Sequence, residues 1–202
     1  MKILYSCLSK SWGGMEMVTL TGIKRLLKRG IKVDLLCISE SRIQLEANNF
    51  GIIIHPIKPG KIINLFSILK ISTIVRSDCY DLIHSHASKD LWLIVPALKI
   101  INKDIPLVVT KHVGSHIFKK DFLHNIIYNR VNLAIAISSV IKYNLINTTP
   151  LTEDKIKIVF NGVDLEKFNP EKVNRGKIRN ELSIAVNEIL IGMTGRFSLG
   201  NG

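Results

Sequence analysis

The sequence predicts an α/β fold, a Rossmann-like doubly wound parallel sheet, on three observations. Short β-branched, apolar runs alternate with helical patterns along almost all of its 202 residues. The strand runs are continuously apolar rather than alternating, as expected where helices cover both faces of a sheet. A composition of 47% hydrophobic and 22% charged residues is globular, and the length suffices for one full α/β domain plus a short remainder.

Taken in order, Ile3–Cys7 is the first strand, followed by a loop over Ser9–Gly14 and a helix over Met15–Lys28 that Gly30 ends. Strands over Lys32–Ile38 and Ile52–Ile57 flank a short helix. A helix over Ile62–Arg76 leads to the strand Asp81–His84, and a helix over Lys89–Ile101 leads to Leu107–Thr110, opened by Pro106. Phe118–Arg130 is helical, Leu133–Ile137 is a strand, and Ser138–Ile146 is a helix capped by Ser138 or Ser139. Lys155–Phe160 is the last strand of this first domain, closed by the turn Asn161-Gly162.

The first domain therefore spans 1–164. Residues 165–186 are polar and read as an interdomain linker, with a break at Asn169-Pro170 and a helix near Arg175–Leu182. Residues 187–202 open a second domain with a strand over Glu188–Met193 and a glycine-rich loop, so the sequence is expected to be cut early in that domain.

Several classes drop out. The longest apolar run, Leu91–Leu98, is eight residues long, far short of the ~20 needed to span a bilayer. Three widely spaced cysteines, Cys7, Cys37 and Cys79, form no CxxC pair, which argues for a reducing cytoplasmic setting and against a zinc module. The formal charge of +12 lies almost wholly in residues 1–150, which carry 11 of it. Such a surplus suits an anionic partner: nucleic acid, a phospholipid surface or a phosphorylated ligand. Nucleic acid lacks support, because aromatic residues are only 6% and no stacking platform recurs.

Ligands of doubly wound sheets bind at the carboxyl ends of the strands, and five groups of residues fall there. Gly13 and Gly14, with Glu16, lie between the first strand and helix, where glycines admit a close ligand and helix N–H groups attract anions. They do not make the GxGxxG fingerprint of nicotinamide enzymes. His84, Ser85 and His86 end one strand and His112 follows the next. Two histidines at i and i+2 share a strand face, yet no carboxylate or cysteine completes a metal site, so no metal is expected. Ser138 could meet a phosphate or simply cap its helix. Asn161 sits in the domain-edge turn, and Arg196 follows the last predicted strand, where a guanidinium could hold phosphate. No GxSxG elbow, P-loop or kinase signature is present, and nothing suggests a covalent nucleophile.

In this order the pieces resemble glycosyltransferase family 4, a retaining group with the two-domain GT-B fold. The matching stretches are Gly13-Gly14-x-Glu16, Asp81-Leu-Ile-His-Ser-His86 and Val108-Val-Thr-Lys-His112. Ala136-Ile-Ser-Ser139, Ile158-Val-Phe-Asn-Gly-Val-Asp164 with Phe168-Asn-Pro170, and Gly195-Arg-Phe197 continue the series. The resemblance implies an N-terminal, acceptor-side domain whose absent C-terminal partner binds most of a nucleotide-sugar, the co-substrate; no cofactor is implied.

It also implies site roles. Gly13 and Gly14 would approach the donor phosphates or the transferred sugar, His112 would contact that sugar near the reacting carbon, and Arg196 would balance the departing diphosphate. Glu16, His86, Ser138 and Asn161 are weaker candidates lining the acceptor or the cleft. The family's lysine after the arginine is replaced by Asn201. With the donor domain absent, the chain alone is expected to turn over no nucleotide-sugar. Expected partners are that donor, a glycan or lipid-linked acceptor, and an anionic membrane at the cytoplasmic face, met by Lys24, Arg25, Lys28, Arg29, Lys119 and Lys120. Two other classes stay open: a non-catalytic acceptor-binding remnant or subunit, and a basic nucleic-acid-binding domain.

Overall fold

The computed structural model describes residues 1–58, 64–172 and 174–193. Seven of the apolar runs become strands: β1 (Lys2–Cys7), β2 (Lys32–Ile38), β3 (Ile54–Ile57), β4 (Leu82–Ser85), β5 (Leu107–Lys111), β6 (Leu133–Ala136) and β7 (Ile156–Ile158). Between them run α1 (Gly14–Leu27), α2 (Arg42–Ala47), α3 (Leu65–Ser77), α4 (Leu91–Ile101), α5 (Phe122–Asn129) and α6 (Ser139–Thr148). The strands form one sheet in the order β3-β2-β1-β4-β5-β6-β7, and every pairing is parallel. The order reverses between β1 and β4, and such a switch point opens a crevice at the carboxyl ends.

The two-residue period of β1 sorts the core into layers. Ile3, Tyr5 and Cys7 pack with Leu20 and Ile23 of α1 and with Ile43 and Ala47 of α2. Leu4 points the other way, into a larger layer built from α3, α4, α5 and α6, including Ile71, Ile94, Ile127 and Leu145. The strands are buried from both sides, which is why they read as unbroken apolar runs. Leu4, Leu35, Ile83, Ile94 and Leu107 are completely buried, each contributing about 1.5–3 kcal/mol relative to exposure.

Local chemistry sets the element ends. Gly51 adopts φ 65°, a left-handed conformation natural to glycine, and β3 starts at Ile54 rather than Ile52. Asp121 accepts hydrogen bonds from the Leu123 and His124 amides, which starts α5 at Phe122 and not at Phe118. Ser138, not Ser139, caps α6 through a 3.2 Å bond from the Ile141 amide. The last strand is shorter than Lys155–Phe160, because Glu153–Lys155 forms a 3-10 turn and pairing with β6 stops at Ile158.

The chain divides into two compact units, Met1–Asn161 and Gly162–Gly202. In the second unit Asn174 caps the helix α7 (Arg175–Glu181). Asp164 accepts from the Glu166 and Lys167 amides, and Lys172 pairs with Glu166. The strand expected over Glu188–Met193 does not form. A strand exists only by pairing, and no described strand lies beside this run, whose Ile189, Ile191 and Met193 are almost fully exposed. The predicted glycine-rich loop with Arg196 lies outside the described residues.

Candidate functional site

The β1–α1 connection is built by a buried carboxylate. Oδ2 of Asp90 accepts from the Ser6 hydroxyl at 2.7 Å and from the Leu8 amide at 3.0 Å, fixing the chain as it leaves β1. Burial pushes the Asp90 carboxyl up to about 6, and its Oδ1 has no partner among the described residues. Beyond this anchor the loop delivers Gly13 as the cap of α1. Lacking a side chain, Gly13 gives the first-turn N–H groups of a 14-residue helix no side-chain cap. A Cβ built on Gly14 meets no atom within 4 Å. Packing within the chain therefore does not require glycine there, and the open space is what a close ligand would use. Glu16, in the first turn, is buried.

Three histidines converge beside this loop, on the α1 face of the sheet. The β4–β5 register aligns His84 with Val108, so His84 Nε2 lies 2.7 Å from the Thr110 hydroxyl. One step on, His86 Nδ1 lies 3.2 Å from His112 Nε2. The His84 and His86 rings stand 4.4 Å apart, and Tyr5 packs within 5 Å of both. The His86 amide bonds Ser6 O at 2.8 Å, extending the β1–β4 ladder by one residue.

Burial disfavours the charged form of all three rings. Burial drives His84 down to about 4, with the His112 charge adding to the effect. Burial also holds His86 far below the ordinary imidazole range, helped by His84 and His112. His112 is lowered by burial too, while the nearby Glu16 carboxylate pulls the other way. His112 is half-buried and open to the strand ends, whereas His86 is nearly sealed, with Nε2 unpartnered among the described residues. The shared strand face of His84 and His86 is thus used for ring stacking and for bonds to β5. No group of three His, Cys, Asp or Glu residues among the described residues is arranged to hold a metal ion.

Of the predicted residues, Gly13, Gly14, Glu16, His86 and His112 gather at the carboxyl ends of β1, β4 and β5. Ser138 stands one strand away and uses its hydroxyl to cap α6. Asn161 is exposed beyond the edge strand β7. Sequence reasoning missed Asp90, Thr110 and Asn144. Asn144 of α6 grips Ser115 from both sides, accepting from its amide and donating to its carbonyl, each at 2.9 Å. That clamp fixes the loop that follows His112. All three act on partners 26–84 residues away, and no local pattern announces such contacts.

An all-parallel seven-stranded sheet with a switch point between β1 and β4 and a cluster of histidines at its strand ends makes this a Rossmann-like α/β domain. The sequence profile of Glycosyltransferase Family 4 matches residues 12–167, and the chain belongs to that family. No curated protein matches the sequence.

Solved structures share the fold. A glycosyltransferase of Rickettsia africae ESF-5 superposes with a TM-score of 0.76 at 20% identity, over 92% of this chain and 50% of its own. Anabaena Alr3699/HepE, solved with UDP and glucose, gives 0.66 at 22% identity, over 90% and 50%. The lipopolysaccharide outer core galactosyltransferase WaaB gives 0.57 at 17%, over 82% and 47%. The chain thus spans about half the length of these proteins, and its sheet corresponds to the N-terminal domain of the GT-B fold. No helix among the described residues is long and apolar enough to cross a membrane.

Proposed function

We propose that residues 1–164 are the acceptor-side domain of a retaining glycosyltransferase that moves a sugar from a nucleotide-sugar to a glycan or lipid-linked glycan. The observation that carries this reading is the meeting of Gly13–Gly14 with His112 at the strand ends. There the first turn of α1 brings Glu16 close enough for its carboxylate to act on His112, and a Cβ on Gly14 would meet no neighbouring atom. Cleavage of the sugar–phosphate bond places positive character on the sugar ring and negative charge on the diphosphate. Backbone N–H groups stabilise the second, and a neutral imidazole can hydrogen-bond the sugar without adding charge beside the cation.

In this reading Arg196 faces the diphosphate and Glu16 lines the cleft, both by family resemblance. UDP-sugars are the first donors to try, since HepE was solved with UDP-glucose. Envelope acceptors follow from the WaaB name, and the basic first unit would work at the cytoplasmic face of an anionic membrane.

The test joins this chain to the second half of the Rickettsia relative and supplies UDP-glucose with bacterial membranes. The expected result is transfer with retained anomeric configuration from the joined protein and none from the chain alone. Turnover by the chain alone would contradict its dependence on a donor domain. Inversion would contradict retention.

A further inference from the structure

Lys111 precedes His112 but points to the opposite side of β5, away from the histidines. Its ammonium reaches the Ser88 hydroxyl at 3.4 Å, and Ser88 in turn contacts the buried Tyr128 hydroxyl. The Lys119 side chain lies close enough to Lys111 for its charge to disfavour the Lys111 ammonium, and its backbone is tied to the Thr148 carbonyl at 2.7 Å. Both lysines are half-buried. Among the described residues neither has a carboxylate within 4 Å, since none of the ion pairs involves them. The nearest acid in sequence, Asp121, is committed to His124 and to two amides.

Two ammonium groups held together without a counter-charge repel each other, and burial adds a desolvation cost. Elsewhere the same chain answers its half-buried cations with acids: Lys2 meets Asp34 at 2.9 Å and Asp78 at 2.8 Å. At Lys111 and Lys119 the compensating anion is missing from the chain itself. Two cations and a hydroxyl donor converging from the β4–α4 loop, the end of β5 and the β5–α5 loop match the oxygens of one phosphoryl group.

We propose that Lys111, Lys119 and the Ser88 hydroxyl form a binding site for a phosphoryl group at the carboxyl end of β5. Ile117, Phe118 and Phe122, all strongly exposed on the same loop and the start of α5, suit a phosphate that heads a hydrophobic chain. Within the transferase reading, that group would belong to the acceptor. The site itself rests on the placement of these side chains and their missing counter-charge, and not on the transferase reading. Phosphate binding that depends on Lys111, with no sugar transfer by the protein joined to the Rickettsia half, would remove the transferase reading and leave the site intact.

The experiment is equilibrium dialysis of the chain against radiolabelled inorganic phosphate. It is paired with sedimentation on phosphatidylcholine vesicles with and without phosphatidic acid. Lys111→Gln and Lys119→Gln are compared with the exposed control Lys99→Gln, and circular dichroism checks that each folds. Loss of a charged hydrogen bond predicts phosphate binding weakened about tenfold or more in the first two and unchanged in the control. Sedimentation with phosphatidic acid vesicles alone, lost in the same two variants, identifies a lipid-borne phosphate. Binding of the free ion without vesicle sedimentation identifies a soluble one. Absence of both, or equal binding by all variants, overturns the site.

Discussion

His86 Nδ1 and His112 Nε2 lie 3.2 Å apart, so one neutral ring must donate and the other accept. The pair joins a sealed histidine to an accessible one, and this makes His86 a positioning residue for His112. His86→Ala should cost about 2–4 kcal/mol, because it leaves a cavity under the strand ends. His112→Ala, at a half-open position, should cost less than about 1 kcal/mol. Urea unfolding of the two variants checks the ordering, and equal costs would contradict it.

Acid stability carries a second signature. The folded His84, held at about 4, refuses protons that the unfolded chain binds from pH 6.5 downward. Stability is therefore fully present above 6.5 and falls by roughly 3 kcal/mol as pH drops toward 4, with His86 and His112 acting in the same direction. Asp90 opposes them. Its folded carboxyl takes a proton near 6, before the unfolded one does at 3.8, returning roughly 3 kcal/mol on acidification. Asp90→Asn should therefore steepen the loss between pH 6 and 4. A parallel decline in wild type and variant, followed by chemical denaturation, would contradict this assignment.

Gly14 separates folding from ligand approach. Since a Cβ there meets nothing, Gly14→Ala should leave stability unchanged or raise it by up to about 1 kcal/mol through helix propensity. In the joined enzyme the same methyl should lower nucleotide-sugar turnover. A variant that is stabilised and fully active would show that no ligand comes close at this point.

The Asn144–Ser115 clamp makes two hydrogen bonds. Asn144→Ala should abolish slow hydrogen exchange at the Ser115 amide and cost about 1–3 kcal/mol. Retained protection there would mean that the loop holds itself.

The sheet was legible because burial from both sides imprints continuous apolar runs such as Ile3–Cys7 and Leu107–Thr110, and glycines mark their ends. Glu188–Met193 carries the same imprint and is not a strand, because pairing depends on a neighbour and not on the run itself. Gly13, Gly14 and His112 were legible as residues that follow strand ends, and the structure places them there. Asp90 was invisible, because it sits in a 3-10 turn that reads as a helix start, and its partner Ser6 is 84 residues distant. Lys111 was hidden by alternation: beside His112 in the sequence, it belongs to the other face of β5.

The central claim is that His112 contacts the reacting sugar, and its most direct test is the turnover number of the joined enzyme with His112→Ala. Loss of a hydrogen bond that acts in the transition state predicts a fall of about a hundredfold or more, with KM for the nucleotide-sugar little changed and the fold intact by circular dichroism. An unchanged turnover number in a folded variant would contradict the account.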